Sequence, residues 1–244
     1  MSDTHTPSLY ESPALQAVTG PALRPGGLDL TRRALAFCDL PAEARVVDIG
    51  CGTGVTVHYL RRHRRLKAFG LDRSSGMLGQ ARQRDPGVPL IQGDANCLPF
   101  GDRRLSAVMC ECVLSLVEDT DVALHEFCRV LAPGGFLVLA DVYARAPDHA
   151  EGLTSLPVAC CLKGARSRDE LVGRMQRSGF TLLAWEDHSE ALKRLAAQLV
   201  FACGSLQAFW GAADACTPVN AYPSAVQRAR PGYFLAVARK EGIP

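Results

Sequence analysis

Residues 46–54 read "VVDIGCGTG". An apolar run entering a glycine loop suits a short buried strand, "RVVDIG", followed by a tight turn. The glycines let the backbone turn sharply and approach a ligand with no side chain between. A dinucleotide-binding loop would place glycines as G-x-G-x-x-G. Here Gly50, Gly52 and Gly54 occur, but the sixth position is Val55. Asp48, just before the loop, suits a cationic ligand better than a pyrophosphate.

Outward from this loop the chain alternates between two periodicities. "VTVHYLRRH" reads as a helix, "KAFGLD" as the next strand, and "SSGMLGQARQR" as a helix capped by Ser74 or Ser75. "VPLIQGD" and "RLSAVMCEC" read as third and fourth strands. "EDTDVALHEFCRVL" is amphipathic through Val122, Leu124, Phe127, Val130 and Leu131. Pro133-Gly134-Gly135 ends that helix, and "FLVLADVY" is a fifth strand. This rhythm predicts an α/β fold: a Rossmann-like, doubly wound, mostly parallel sheet with helices on both faces.

On the N-terminal side, Gly20–Gly27 reads as a loop and "LDLTRRALAFCDL" as a helix capped by Thr31 or Asp29. Beyond Ala144 a loop holding Pro147 and Pro157 leads to "ACCLKGA". "SRDELVGRMQRSGF" follows as a helix with a capping box of Ser167 and Glu170. A strand near Thr181–Trp185, a long helix over about Glu190–Trp210 and a closing strand "GYFLAVARK" complete the chain.

The 244 residues suffice for a large core, and 48% hydrophobic with 21% charged residues is an ordinary globular balance. A formal charge of +2 gives no push toward nucleic acid or a membrane surface, so neither is expected as a partner. The basic stretch Arg61–Lys67 reads as a solvated helix end. No apolar run is long enough to span a bilayer, and the polar start "MSDTHTPSLYESP" is not a signal peptide. The ten cysteines, without an export signal, predict free thiols in a cytoplasmic protein. No Cys-x-x-Cys or His-Glu-x-x-His occurs, so no metal site is expected.

Two further acids lie at strand ends, Asp72 after the second and Asp94 after the third. In a doubly wound sheet such ends converge on one crevice, so Asp48, Asp72 and Asp94 meet there. Asp72 is placed to accept bonds from ribose hydroxyls, and Asp94 lies within reach of an adenine amino group.

This constellation resembles the class I S-adenosylmethionine-dependent methyltransferases over roughly residues 42–141. "VVDIGCGTG" is similar to their first motif, "GLDRS" to their ribose-binding segment, "GDANCLPF" to their adenine-binding segment, and "RVLAPGGFLVLAD" to the run into their fifth strand. The resemblance implies a seven-stranded sheet whose last strand is antiparallel, supplied by "GYFLAVARK", and S-adenosyl-L-methionine as cofactor. It implies that Gly50, Cys51 and Gly52 pass the methionine moiety and that Asp48 holds its amino end. Asp72 with Arg73 would take the ribose, and Asp94 with Ala95 the adenine. Met77 and Leu98 would pack on the ring, with Cys110 at the donor's edge. The expected organisation is a flexible N-terminal arm or lid over 1–27 and a single methyltransferase domain over 28–244. Within it come a substrate-side insertion at about 144–166 and an added C-terminal helix at about 190–210.

The fourth strand's end faces the methyl group in such folds, which brings "CECVLSL" to the acceptor side. Alternation would put Cys110 and Cys112 on one side with Glu111 opposite, unless Cys112 already lies in the turn. "CECVLSL", "ADVYARAP" and "ACCLKGARSRDELVGRMQRSGF" also resemble segments of the arsenite methyltransferases. That resemblance implies Cys112 and Cys161 as thiolates holding a soft acceptor. The chain departs from that group upstream, where "GPALRPGG" lacks a cysteine and Cys38 falls within a helix. Cys38, Cys97, Cys128 and Cys203 read as packing residues, as does the helix-face pair His125 and Cys128.

The expected activity is methyl transfer to a small molecule with a soft acceptor atom: thiol-bound arsenite, another metalloid or a thiol. The alternative is an ordinary carbon, oxygen or nitrogen acceptor of quinone or metabolite type, with Glu111, Asp141 or His149 as base. A third reading keeps the donor pocket but binds a thiophilic metal through Cys110, Cys112, Cys160 and Cys161.

Overall fold

The computed structural model describes residue 10 and residues 13–154, 160–213 and 222–242. Seven strands form one sheet: β1 (Arg45–Ile49), β2 (Lys67–Asp72), β3 (Leu90–Gln92), β4 (Leu105–Glu111), β5 (Leu131–Ala144), β6 (Phe180–Asp187) and β7 (Pro231–Lys240), in the order β3-β2-β1-β4-β5-β7-β6. The first five strands pair in parallel. β7 runs antiparallel between β5 and β6, as the family resemblance implies.

Period-two alternation divides the strands between two cores. Val46, Met109, Val138 and Tyr233 pack on one face of the sheet. Val47, Val108, Leu137 and Phe234 pack on the other. Helices α1 (Pro13–Thr19), α2 (Gly27–Leu35), α3 (Val55–Arg64), α4 (Ser75–Arg84), α5 (Thr120–Val130), α6 (Glu151–Thr154), α7 (Arg168–Arg177), α8 (Ser189–Cys203), α9 (Leu206–Ala213) and α10 (Tyr222–Ala229) account for the rest. α5 shows the logic of these faces. Asp119 caps it by accepting from Asp121 N and Val122 N, and Leu124, Phe127 and Val130 are buried. Burying Phe127 alone stabilises the fold by about 2–3 kcal/mol. Val122 is the exception to the predicted apolar stripe, for it is exposed to solvent.

Several boundaries differ from the sequence reading. The loop expected at Gly20–Gly27 begins with a 3₁₀ turn, Gly20–Ala22, that continues α1. α2 is capped by Gly26 rather than Thr31 or Asp29, because Thr31 is buried in mid-helix and its hydroxyl is used elsewhere. Cys38 lies past the end of α2, buried in the core, where desolvation pushes its thiol up to about 12. The helix expected over Glu190–Trp210 is two helices, α8 and α9, broken at Gly204, whose φ of 82° an L-residue rarely adopts. At α7 only half of the capping box forms. Ser167 Oγ accepts from Glu170 N, but the Glu170 carboxylate pairs with Arg166 and Arg174. Pro157 and the first nine residues lie outside the described residues.

The sheet order reverses between β1 and β4, neighbours separated in sequence by β2 and β3. Ligands of open α/β sheets bind at that switch point, beyond the carboxyl ends of the strands. The glycine loop leaves β1 there, and the Cys-Glu-Cys segment leaves β4 beside it.

Candidate functional site

A cavity of about 770 Å³ opens at the switch point. Its size falls in the range of small-molecule sites. The glycine loop forms its floor. Gly50 and Gly52 have φ of 65° and 51°, and a Cβ on Gly50 would lie 2.2 Å from Val113 Cγ2. A Cβ on Gly52 would crowd Met77 Cε at 3.3 Å, on the wall the cavity shares with that methionine. Bare backbone is therefore a steric requirement at Gly50, and at Gly52 the positive φ is what favours glycine.

The three acids lie where strand ends converge, and all line the cavity. Asp72 fixes the loop while facing the opening: its Oδ2 accepts from Gly52 N at 2.8 Å and its Oδ1 from Ser74 N at 2.9 Å. Asp94 is exposed and accepts from Asn96 N at 2.8 Å. Asp48 is only 3% exposed. Burial pushes its carboxyl well above the usual range, the Glu111 carboxylate adds to that, and the Arg24 guanidinium opposes it. A cationic ligand would lower that energy, so Asp48 is poised to receive one. Cys51, Arg73 and Ala95 complete the predicted donor residues on the cavity wall. Cys51 sits there by necessity of size, since its Sγ would be 2.7 Å from a Cβ on Gly70.

Cys110 does not line this cavity. It is fully buried on the opposite face of the sheet, with Val108 and Leu139. Leu98 is likewise buried in that core and away from the cavity wall. Cys112 lies past the end of β4, in the turn, so the alternation of Cys-Glu-Cys stops at Glu111. Cys112 adopts φ of 64°, a left-handed conformation costing about 1–2 kcal/mol, which turns its side chain to the face that Glu111 occupies. Glu111 and Cys112 thus share the cavity, and Cys110 lies across the sheet.

Glu111 is not available as a base. Its side chain is 1% exposed, and Oε2 pairs with Arg24 Nη2 at 2.8 Å. Thr31 Oγ1 donates to Oε1 at 2.9 Å, and Thr56 Oγ1 donates to Oε2 at 3.3 Å. Asp141 is engaged in another way. Ser115 N and Oγ donate to it at 2.9 and 2.7 Å, and burial raises its pKa to about 6. It lies beside a separate small cavity with Ser115 and Thr120. His149 is exposed and lines neither cavity.

The thiols divide by location. The 3₁₀ turn Cys161–Gly164 docks against a second one, Leu114–Leu116, so closely that a Cβ on Gly164 would lie 2.0 Å from Ser115 O. This brings Cys161 beside Cys112. The neighbouring thiol, and then burial, hold the Cys112 thiol well above its usual pKa, which opposes the thiolate expected there. Burial holds Cys160 up to about 11. Cys97, read as packing, is exposed because it lies in the turn after β3, bridged to Asp94. Cys128 and Cys203 are half-buried.

Sequence reasoning did not single out the residues that close the site. Tyr10 lines the cavity, and its hydroxyl accepts from Cys161 N at 2.9 Å. Pro21 O accepts from Thr53 Oγ1 in the glycine loop at 2.7 Å. Arg24 spans from the arm to β4 and to α3, where Thr56 Oγ1 accepts from its Nη2 at 3.0 Å. The arm is built into the cavity wall. Its only sequence signal is an arginine in a Pro/Gly-rich stretch, which does not reveal a partner so far along the chain.

Residues 47–139 match the family model of a methyltransferase domain. The chain is 36% identical over 119 residues to a fatty-acid O-methyltransferase of Mycolicibacterium smegmatis, covering 47% of this chain and 43% of that one. It is 32% identical over 137 residues to a demethylmenaquinone methyltransferase of Streptomyces avermitilis, covering 48% and 59%. The chain therefore spans about half the length of these curated relatives. Among solved structures, that of the [4+2]-cyclase SpnF superposes with a TM-score of 0.75 at 25% identity, covering 96% of this chain and 94% of that one. The fold is that of the Rossmann-like methyltransferases.

Proposed function

We propose that this chain, whose residues 47–139 match a methyltransferase domain, transfers a methyl group from S-adenosylmethionine to a small organic acceptor. The observation carrying this reading is the convergence on one cavity of Asp48, Asp72 and Asp94 with a glycine floor that admits no Cβ at Gly50. When bound, the donor supplies a methyl carbon on a positively charged sulfur that leaves as a neutral thioether, so the leaving group needs no acid.

The chain's own part is to hold, orient and exclude water. Asp48 would face the donor's cationic end, Asp72 its ribose, and Asp94 with Ala95 its adenine, with Met77 packing beside the glycine floor. Tyr10 and the arm residues Pro21–Arg24 line the cavity.

The acceptor side narrows the substrate class. No histidine lines the cavity among the described residues, and Glu111 is committed to Arg24 and two threonines. An acceptor that arrives already ionised needs no base in order to attack. A carboxylate does so at oxygen, and an ionised quinol attacks through its ring carbon and then releases the ring proton to solvent, whereas a plain alcohol must have its proton removed. This agrees with relatives named for fatty-acid and quinone substrates.

A second reading is favoured by one observation, the juxtaposition of Cys112 and Cys161. Two adjoining thiols suit a soft acceptor such as trivalent arsenic. The upward shift of Cys112 weighs against it, since binding arsenic there must first displace protons.

The test is methyl-labelled S-adenosylmethionine with three acceptors: a long-chain fatty acid, a demethylated hydroquinone, and arsenite with excess thiol. Label is expected in one of the first two, with Cys112→Ser retaining most of the rate. Label in arsenite alone, lost in Cys112→Ser, would replace the first reading by the second. No transfer to any of the three would count against the proposed acceptor class.

A further inference from the structure

The arm delivers one buried cation to the donor end of the cavity. The Arg24 side chain is 8% exposed, and its Nη2 is saturated: it donates to Thr31 Oγ1 at 2.7 Å and Thr56 Oγ1 at 3.0 Å and pairs with Glu111 at 2.8 Å. Nη1 reaches Ala22 O at 3.4 Å. The Nε–H has no partner among the described residues, although it is buried. A buried donor on a charged group left unpaired costs about 1–3 kcal/mol or more. Native proteins rarely keep one unless a ligand completes it.

What would complete it follows from where it sits. Arg24 lines the same cavity as Asp48, Gly50 and Gly52. It is fixed to the first turn of α3 through Thr56, while Pro21 fixes the same arm to Thr53 in the loop that opens α3. The partner must accept a hydrogen bond from a guanidinium, at a helix start whose dipole favours negative charge. Asp48, in contrast, is a buried acid awaiting a cation. A ligand bearing an ammonium and a carboxylate on one carbon satisfies both.

We propose that Arg24 binds the α-carboxylate of the methyl donor through its free Nε–H, opposite Asp48 at the donor's ammonium. This rests on the donor reading above and deepens it. Because Arg24 belongs to the arm rather than the sheet, donor binding also fastens the arm across the cavity. Glu111, read from sequence as a base, becomes the residue that orients this guanidinium.

The experiment is calorimetric titration of the full chain with S-adenosylmethionine and with its decarboxylated analogue, which keeps the sulfonium and the amine. The wild type should prefer the full donor by about 10- to 100-fold, the usual range for a charge-assisted bond. Arg24→Met should abolish that preference while leaving affinity for the decarboxylated analogue within a few-fold. Since Arg24→Met strands the buried Glu111, the double variant Arg24→Met/Glu111→Gln is the decisive one: it leaves no unpaired charge and should reproduce the loss. Glu111→Gln alone, which keeps an acceptor oxygen for the guanidinium, should lower the preference by only a few-fold. A folded double variant that discriminates as the wild type does would overturn the assignment, and would place any role of Arg24 with the acceptor or the arm. A wild-type chain that binds neither compound would overturn the donor reading itself.

Discussion

At Gly50 the argument for the site rests on a single missing atom. Its φ of 65° is strained for any L-residue, and an added Cβ would meet Val113 Cγ2 at 2.2 Å. Gly50→Ala should therefore lose donor binding by at least about 10-fold and cost about 2 kcal/mol or more in a urea melt, from strain and overpacking together. Wild-type binding in that variant would show that the loop does not need bare backbone. Asp141 gives a second test, of stability rather than binding. Its folded pKa of about 6 exceeds the ordinary 3.8, so the folded state holds the proton more tightly than the unfolded one. Its contribution is full below pH 4 and lost as pH rises through 6, on the order of 3 kcal/mol. The melting temperature of the wild type relative to Asp141→Asn should thus fall between pH 4 and pH 7. A constant difference would contradict the shift.

The same scale explains what could be read without coordinates. Glycines and acids at the ends of predicted strands announce themselves, because type and spacing are local. Glu111 did not disclose its role, because its partner Thr31 lies 80 residues earlier and Arg24 earlier still. The face of Cys112 also escaped, because one left-handed residue resets the alternation that strand reasoning assumes.

Among the elements, the 3₁₀ turns Leu114–Leu116 and Cys161–Gly164 pack together beside the part of the cavity that holds Cys112, where the acceptor is proposed to bind. They meet at Gly164, where backbone approaches backbone and no side chain fits. Gly164→Ala should push the second turn away and separate Cys161 from Cys112, while the glycine loop stays as it is. The expected result is a donor dissociation constant within about 2-fold of wild type and a kcat/KM for the acceptor lowered about 10-fold or more. Equal losses in both would mean the turn supports the whole cavity rather than its acceptor end. Element boundaries were legible where caps are chemical, as at Ser74, which accepts from Met77 N as predicted. They were missed where a glycine interrupts a helical pattern, as at Gly204, although the Gly-Ser dipeptide there was a usable stop signal.

Across the whole molecule, the alternation of strand and helix foretold a parallel sheet, and the antiparallel β7 followed from the family resemblance rather than from pattern. The arm was expected to be a lid over 1–27. Of its described part, Tyr10 and Pro21–Arg24 line the cavity. The cavity is thus lined from two distant places, the arm and the switch point of the sheet, and the Cys161–Gly164 turn abuts it through Tyr10 and the Leu114–Leu116 turn. Fold alone does not carry the reaction, as the likeness to a cyclase illustrates. The central claim is the identity of the donor. Equilibrium dialysis with labelled S-adenosylhomocysteine tests it most directly, comparing the wild type with Asp72→Ala. The account predicts one site per chain with a dissociation constant of about 1–100 μM, weakened about 10-fold or more in the variant by loss of its ribose acceptor. No binding up to about 1 mM, or equal binding in Asp72→Ala, would contradict it.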